Sequence, residues 1–337
     1  MTSSGRETTL ALVRESLEQG LSAQRGRAVA LRELNPAHND YGSSFAVARL
    51  RAVLDDGEPL AVVLKDLNPL HQSVEARSVR RTGLGRSRRE LWMYREVLDS
   101  EGLATPRLYG HRWEPKRGLL WLLIEDVGPE RLSRVGEFDL WLAAARWSAR
   151  LHLALKDLAG GEAALMRHDI AESRQHAAQI TARLAEVSVE QRAVIRRALE
   201  LHDEFVDTLD EQPWGVIHGE YTAKNIVVRR GSPDRQIAVL DWETVAHGPL
   251  YRDLADISAG DWTRERRVAM WRAYHDQYCR DSGRALAWDR FFREVSEVAL
   301  VRAVAWLAWW SRENGRHIVR WVDELRRLTT QFFAPAK

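Results

Sequence analysis

The sequence is short of cysteine, of lysine, of excess charge and of long apolar runs. Its single thiol, Cys279, excludes an internal disulfide and a cysteine-built zinc cage, and it suits a reducing compartment. The most apolar stretch, residues 298–310, is too short to span a bilayer and carries Arg302, so it reads as a core-facing helix. Residues 1–7 are polar, and Leu10, Val13 and Leu17 follow at helical spacing instead of forming the apolar run of a signal peptide. A cytoplasmic protein without a membrane partner is expected. With 50 Lys+Arg against 48 Asp+Glu the net charge is +2, which gives no electrostatic reason to expect nucleic acid as a partner. Only five of the basic residues are lysines: Lys65, Lys116, Lys156, Lys224 and Lys337. In a chain that uses arginine almost everywhere a retained lysine is informative, and Lys65 and Lys224 both fall inside the motifs below.

At 337 residues the chain has room for about two domains of roughly 150 residues. No internal repeat or low-complexity tract is present. The first third reads as strands around two turns. After an amphipathic helix at 10–21, apolar runs at 27–34, 44–54 and 60–67 are separated by Asn35-Pro36 and by Asp55-Asp56-Gly57-Glu58, a hairpin signal. A helix is expected at 88–98, then a second hairpin from 107–113 and 119–126. From Glu137 the texture changes to helical periods at 137–157, 161–185 and 188–210, and again at 250–259, 262–281, 287–311 and 315–333. A strand-rich island at 214–242 interrupts them. The expected fold class is α+β, with a sheet-rich N-lobe at 1–128 and a larger helical C-lobe at 129–337.

The island carries the chemistry. It contains His218-Gly219-Glu220, Lys224-Asn225 and, after a turn, Asp241-Trp242-Glu243, each at the end of a buried apolar strand. A carboxylate beside an acceptor hydroxyl can act as base or orienter. An amide oxygen with a second carboxylate offers hard ligands suited to magnesium on phosphates. The first lobe supplies the complement: Lys65 on a strand and Glu90 on the following helix, an ion pair able to fix an ammonium on phosphate oxygens. This is a set for phosphoryl transfer.

These residues resemble the aminoglycoside phosphotransferase and choline-kinase-like group, a branch of the protein-kinase-like fold. The family signature is His-Gly-Asp, four residues, Asn, then an Asp-Trp-Glu-like segment after a hairpin. Leu122 to Gly128 looks like the family's interlobe hinge, Trp147 to His152 like the helix before the catalytic loop, and Gly248-Pro249 with Asp253-Leu254-Ala255 like the segment after the metal aspartate. The resemblance covers nearly the whole chain. It implies a bilobal kinase-like enzyme that moves the γ-phosphate of ATP or GTP to a hydroxyl of a small molecule, such as a sugar, nucleoside, natural product or aminoglycoside-like compound. Magnesium would be held by Asn225 and Asp241. Glu220 and Lys65 would be catalytic, with Ser43, Ser44, Lys65, Glu90, Glu125 and Val127 on the nucleotide.

Two departures stand out. Glu220 replaces the usual Asp, which moves the carboxylate outward but leaves it similarly basic, so an active variant is expected. No Gly-x-Gly-x-x-Gly loop is present, and Tyr41-Gly42-Ser43-Ser44-Phe45 stands where its backbone amides and hydroxyls can cap phosphates.

Other residues read more plainly. Glu90 is preferred to Glu96 as the lysine's partner because Tyr94 completes the family's Glu-x-x-x-Tyr spacing. His218 is expected to brace the catalytic loop, and Asp253 to tie its own segment to that loop. Lys224 faces phosphate or solvent. Glu243 joins a second metal or caps a turn. Trp306, Trp309 and Trp310 read as core or groove wall, and 77–89 as a solvated loop entering a helix. Residues 251–337 hold 12 Asp+Glu and 16 Lys+Arg, which leans away from a strongly cationic acceptor. Two alternatives stay open: a kinase of peptide Ser/Thr hydroxyls in natural-product biosynthesis, and a nucleotide-binding pseudokinase acting as a partner module.

Overall fold

The structure is a computed structural model that describes residues 3–38, 46–72, 83–98, 102–158, 165–229, 237–310 and 318–334. The chain divides into two compact units: Met1–Arg131 with Val227–Glu243, and Leu132–Ile226 with Thr244–Lys337. Among the described residues no helix is long and apolar enough to cross a membrane.

The first unit opens with helix α1 (Ser3–Arg25), followed by strands β1 (Leu31–Ala37), β2 (Ala46–Leu54), β3 (Pro59–Asp66), β4 (Leu108–Glu114) and β5 (Leu119–Glu125). They form an antiparallel sheet in the order β1-β2-β3-β5-β4. Helix α2 (Gly85–Trp92) continues into a π-helical turn at Met93–Val97. The face of α1 that carries Val13, Leu17 and Leu21 packs on Leu50, Ala52, Leu54, Leu60 and Val62 of the sheet. The helix lies close on β4 because Gly20 meets Gly110: a Cβ on Gly20 would stand 2.2 Å from the Tyr109 carbonyl oxygen. Strand side chains alternate, so Lys65 falls on the face of β3 opposite Leu60 and Val62. From Val227 the unit also takes in the rest of β8 (Ile226–Val228) and β9 (Ile237–Val239), a two-stranded ribbon that leads to Asp241.

Two local readings need correction. Asn35-Pro36 was expected to end the first strand, yet β1 runs through both, with Pro36 opposite Leu50. The strand is at the sheet edge, where a residue without an N–H is tolerated. The helix expected over 161–185 is α4 (Ile170–Ala182), because the Asp169 side chain caps the Ala171 N–H and fixes the start there.

In the second unit the helices are α3 (Phe138–Ala154), α4, α5 (Val189–Val206), α6 (Arg252–Ser258), α7 (Arg264–Ser282), α8 (Trp288–Trp310) and α9 (Ile318–Phe332). Ser188 and Gln191 form a capping box at the start of α5. A small sheet places β10 (Ala246–Pro249) between β6 (Met166–Arg167) and β7 (Trp214–Ile217). This sheet holds β7 rigid where it delivers His218.

Candidate active site

In the first unit the centre is Lys65. Its Nζ donates to both oxygens of Glu90, at 2.7 and 2.8 Å, and to Asp241 Oδ1 at 2.8 Å. Lys65 and Glu90 are buried, whereas the Asp241 side chain keeps 27% exposure. Burial alone would push the ammonium down, but the charges of Asp241, Glu90 and Glu243 reverse this and hold it well above its ordinary value. Burial and the neighbouring carboxylates push Glu90 upward, against the pull of Lys65. Glu96, the competing partner, is paired with Arg95 at 3.3 Å.

Asp241 has a φ of 70°, the one non-glycine residue with positive φ among those described. Such a conformation costs roughly 1–3 kcal/mol and persists only where the surroundings impose it. Glu243, fully buried, has Arg86 at 3.6 Å, and Arg89 donates to its carbonyl at 2.6 Å. Arg86 and Arg89 are therefore not part of a solvated loop: they lie on α2 and reach the segment after Asp241.

At the C-terminal end of β5, Arg229 holds the Glu125 carboxylate at 2.6 and 3.1 Å, and Arg107 N–H donates to it at 3.2 Å. The last ladder bond there runs from Asp126 N–H to the Ala61 carbonyl. Val127 lies just beyond it. Ser43 and Ser44 fall outside the described residues.

The second unit carries the His218-Gly219-Glu220 loop. The buried Asp253 carboxylate accepts from His218 N–H at 2.7 Å, Gly219 N–H at 3.0 Å and His152 Nε2 at 3.2 Å. A carboxylate only accepts, so Nε2 carries the hydrogen, and Nδ1 is left to the Tyr274 hydroxyl at 2.8 Å. Burial would raise Asp253, but these donors hold it below its ordinary value.

Gly219 has a φ of 83°, and a Cβ there would lie 2.3 Å from the Thr244 carbonyl oxygen. No other residue fits without moving the loop. Next to Glu220, Tyr221 is anchored by its hydroxyl on the Ala144 carbonyl, at 2.8 Å, and by stacking on Trp147.

Glu220 faces Lys224, whose Nζ donates to Oε1 at 2.5 Å. Lys224, read as facing phosphate or solvent, is therefore an ion-pair partner of Glu220. Asn225 donates its Nδ2 to the Glu220 carbonyl at 3.0 Å, which commits the amide's donor end and turns the Oδ1 end to other partners.

Sequence reasoning missed the layer behind this loop. Arg302 on α8 binds Asp256 on α6 at 2.6 and 2.8 Å and reaches the Gly219 carbonyl at 3.3 Å. Trp306 donates to Asp256 at 3.0 Å and stacks on Trp321. The one available signal was Arg302 itself, a charge within an apolar helix. The side chain of Trp310 lies outside the described residues.

Among the described residues no group of three or more His, Cys, Asp or Glu is arranged to hold a metal by itself. Magnesium does not require such a cluster, since it is held by one or two carboxylates together with water and phosphate oxygens.

Residues 42–292 match APH, the phosphotransferase enzyme family. A search of the curated proteins finds no match. Among solved structures the chain resembles a GDP complex of aminoglycoside 2'-phosphotransferase-IIIa at 11% identity, with 98% of each chain covered and a TM-score of 0.57. It also resembles a microcompartment-associated aminopropanol kinase, at 18% identity, 90% and 93% coverage and a TM-score of 0.57. A third is choline kinase from Cryptosporidium parvum Iowa II, at 11% identity, 89% and 88% coverage and a TM-score of 0.57. These likenesses establish the protein-kinase-like fold. The family match extends from before β2 into α8, and on it the chain belongs to the phosphotransferase enzyme family.

Proposed function

We propose that this protein transfers the γ-phosphoryl group of ATP or GTP to a hydroxyl of a small molecule, with magnesium as the metal. The observation that carries the reading is the buried Lys65 ammonium shared by Glu90 and Asp241, with Asp241 on a left-handed backbone. A lysine surrounded by carboxylates stays charged, and its place on a strand fixes it where phosphate oxygens can exchange with a carboxylate. The names of the structural relatives, which include a GDP complex and kinases of choline and aminopropanol, support nucleotide and alcohol as the two substrates.

Lys65 would grip the α- and β-phosphates, and Glu90 would hold its side chain extended. Ser43 and Ser44 would cap phosphates, and the backbone of Glu125 and Val127 would meet the base. Asn225 and Asp241 suit a hard cation by the chemistry of their oxygens, each within its own unit. When bound, magnesium would neutralise charge on the β- and γ-phosphate oxygens.

Glu220 would accept the acceptor's proton. As that O–H bond breaks, the oxygen bonds to the γ-phosphorus, and the nucleoside diphosphate leaves with the electrons of the broken P–O bond. Lys224, on Oε1, would fix the rotamer of Glu220 and leave Oε2 for the proton.

The test is steady-state kinetics with calorimetric nucleotide titration on Glu220→Gln. Losing a general base lowers kcat by about 10²–10⁴-fold, while Mg·nucleotide affinity stays at the wild-type value. A fully active Gln variant overturns the assignment of Glu220 as base.

A further inference from the structure

Beside the Gly219 carbonyl, the second unit holds more arginine charge than its carboxylates engage. Arg302 donates Nε and Nη2 to the two oxygens of Asp256, and its guanidinium lies 4.4 Å from the centroid of the Trp306 ring. With Trp306 Nε1 added, Asp256 has three donors, and none of them comes from Arg252.

Arg252, four residues earlier on α6, pairs with no carboxylate among the described residues. Its Nη1 stands 2.8 Å from His168 Nδ1, and because arginine only donates, the imidazole nitrogen must accept. Burial, then the charge of Arg302, pushes Arg252 down to about 9. Burial, then Arg252 and Arg302, holds His168 well below its ordinary value, so the ring is neutral. The other carboxylates facing Arg252 are Asp253, already committed to His218, Gly219 and His152, and Glu172, exposed on α4. Two guanidinium groups therefore share one engaged carboxylate next to the residue that precedes Glu220.

We propose that Arg252 and Arg302 form an oxyanion subsite of the acceptor site, so that the acceptor is a hydroxylated small molecule bearing a carboxylate or phosphate group. This rests on the phosphotransferase reading above. Arg302 Nη1 and Arg252 Nε and Nη2 donate to no group among the described residues, Arg252 Nε being buried as well, and guanidinium donors match an oxyanion in geometry as well as charge. An aminoglycoside or a choline headgroup would meet like charge at this place.

The experiment is calorimetric titration of protein saturated with Mg·ADP, using inorganic phosphate and, separately, acetate. At least one anion binds, and Arg252→Gln weakens it by about 10- to 100-fold, the range for lost hydrogen bonds to a charged group. Phosphate alone marks a phosphorylated acceptor and acetate alone a hydroxy acid, whereas both together mark a subsite tolerant of either. Arg252→Lys, which keeps the charge without the fork, gives an intermediate loss and serves as the comparison if the Gln variant does not fold. Arg174→Gln, on the exposed surface of α4, leaves the anion affinity unchanged. Equal affinity in wild type and both Arg252 variants, or no anion binding by protein that binds Mg·ADP, overturns the inference. Failure to bind Mg·ADP overturns the phosphotransferase reading instead, and the anion titrations then stand on the nucleotide-free protein.

Discussion

Replacing Asp253 by Asn removes one charge and almost no volume, so it isolates what the carboxylate does for the His218-Gly219-Glu220 loop. Oδ2 accepts from His218 N–H and His152 Nε2, and Oδ1 accepts from Gly219 N–H. The best placement of the amide keeps its oxygen at the Oδ2 position. Its NH2 then faces the Gly219 N–H, donor against donor, in a fully buried place. One hydrogen bond to a charged group is lost, worth about 1.5–3 kcal/mol, and a buried donor is stranded at about 1–3 kcal/mol. The expected destabilisation is about 3–5 kcal/mol, read by urea unfolding followed through tryptophan fluorescence.

Because Gly219 adjoins Glu220, kcat should fall with stability while Mg·nucleotide affinity holds. The pH dependence has a definite sign. Burial raises Asp253, but the His152 bond and the backbone donors outweigh it and leave the folded value depressed. A depressed carboxyl contributes stability that is full above its unfolded value, about 3.9, and is lost as pH falls through the folded value. The gap between wild type and Asp253→Asn should therefore be flat above about pH 5 and close below about pH 4. A gap under about 1 kcal/mol with wild-type kcat would refute the reasoning.

Two further substitutions follow from packing. Gly219→Ala sets a Cβ against the Thr244 carbonyl and forces a non-glycine residue into the left-handed region. It should cost about 2–5 kcal/mol in thermal unfolding, or else preserve stability by displacing the loop with a collapse of kcat. Glu324→Ala strands the buried Arg267, which bonds Glu324 at 2.6 and 3.0 Å. A loss of about 3–5 kcal/mol is expected in chemical denaturation, and a neutral outcome would show that water solvates Arg267.

The candidate site was legible as a set because its residues stand at short, fixed spacings. His218, Glu220, Asn225 and Asp241 lie within one strand-rich island, and Lys65 was marked by the rarity of lysine and by its apolar strand. Glu90 could be chosen over Glu96 from its spacing to Tyr94, and the structure pairs Lys65 with Glu90. What stayed hidden depends on contacts between distant segments. Arg89 reaches Glu243 across 154 positions, and Arg302 reaches Asp256 across 46. Periodicity on either segment gives no trace of the other. The start of α4 was misread because Asp169 is a strong cap only if the chain before it leaves the helix, and that is decided by pairing with β10. The strand through Pro36 was misread for a similar reason: whether a proline interrupts a strand depends on its being at the edge, which the sequence does not state.

The central claim is that Lys65, Glu90 and Asp241 make a magnesium-dependent nucleotide site. Its most direct test is calorimetric titration with ATP and with GTP, each with and without magnesium, on the wild type and on Asp241→Asn. At least one nucleotide should bind tightly with magnesium and lose most of that affinity without it. In Asp241→Asn the affinity should fall to the magnesium-free level. The same nucleotide at about 100-fold excess over Kd should add about 2.7 kcal/mol to wild-type stability. Nucleotide binding that ignores both magnesium and Asp241→Asn, or no binding at all, would contradict the central claim.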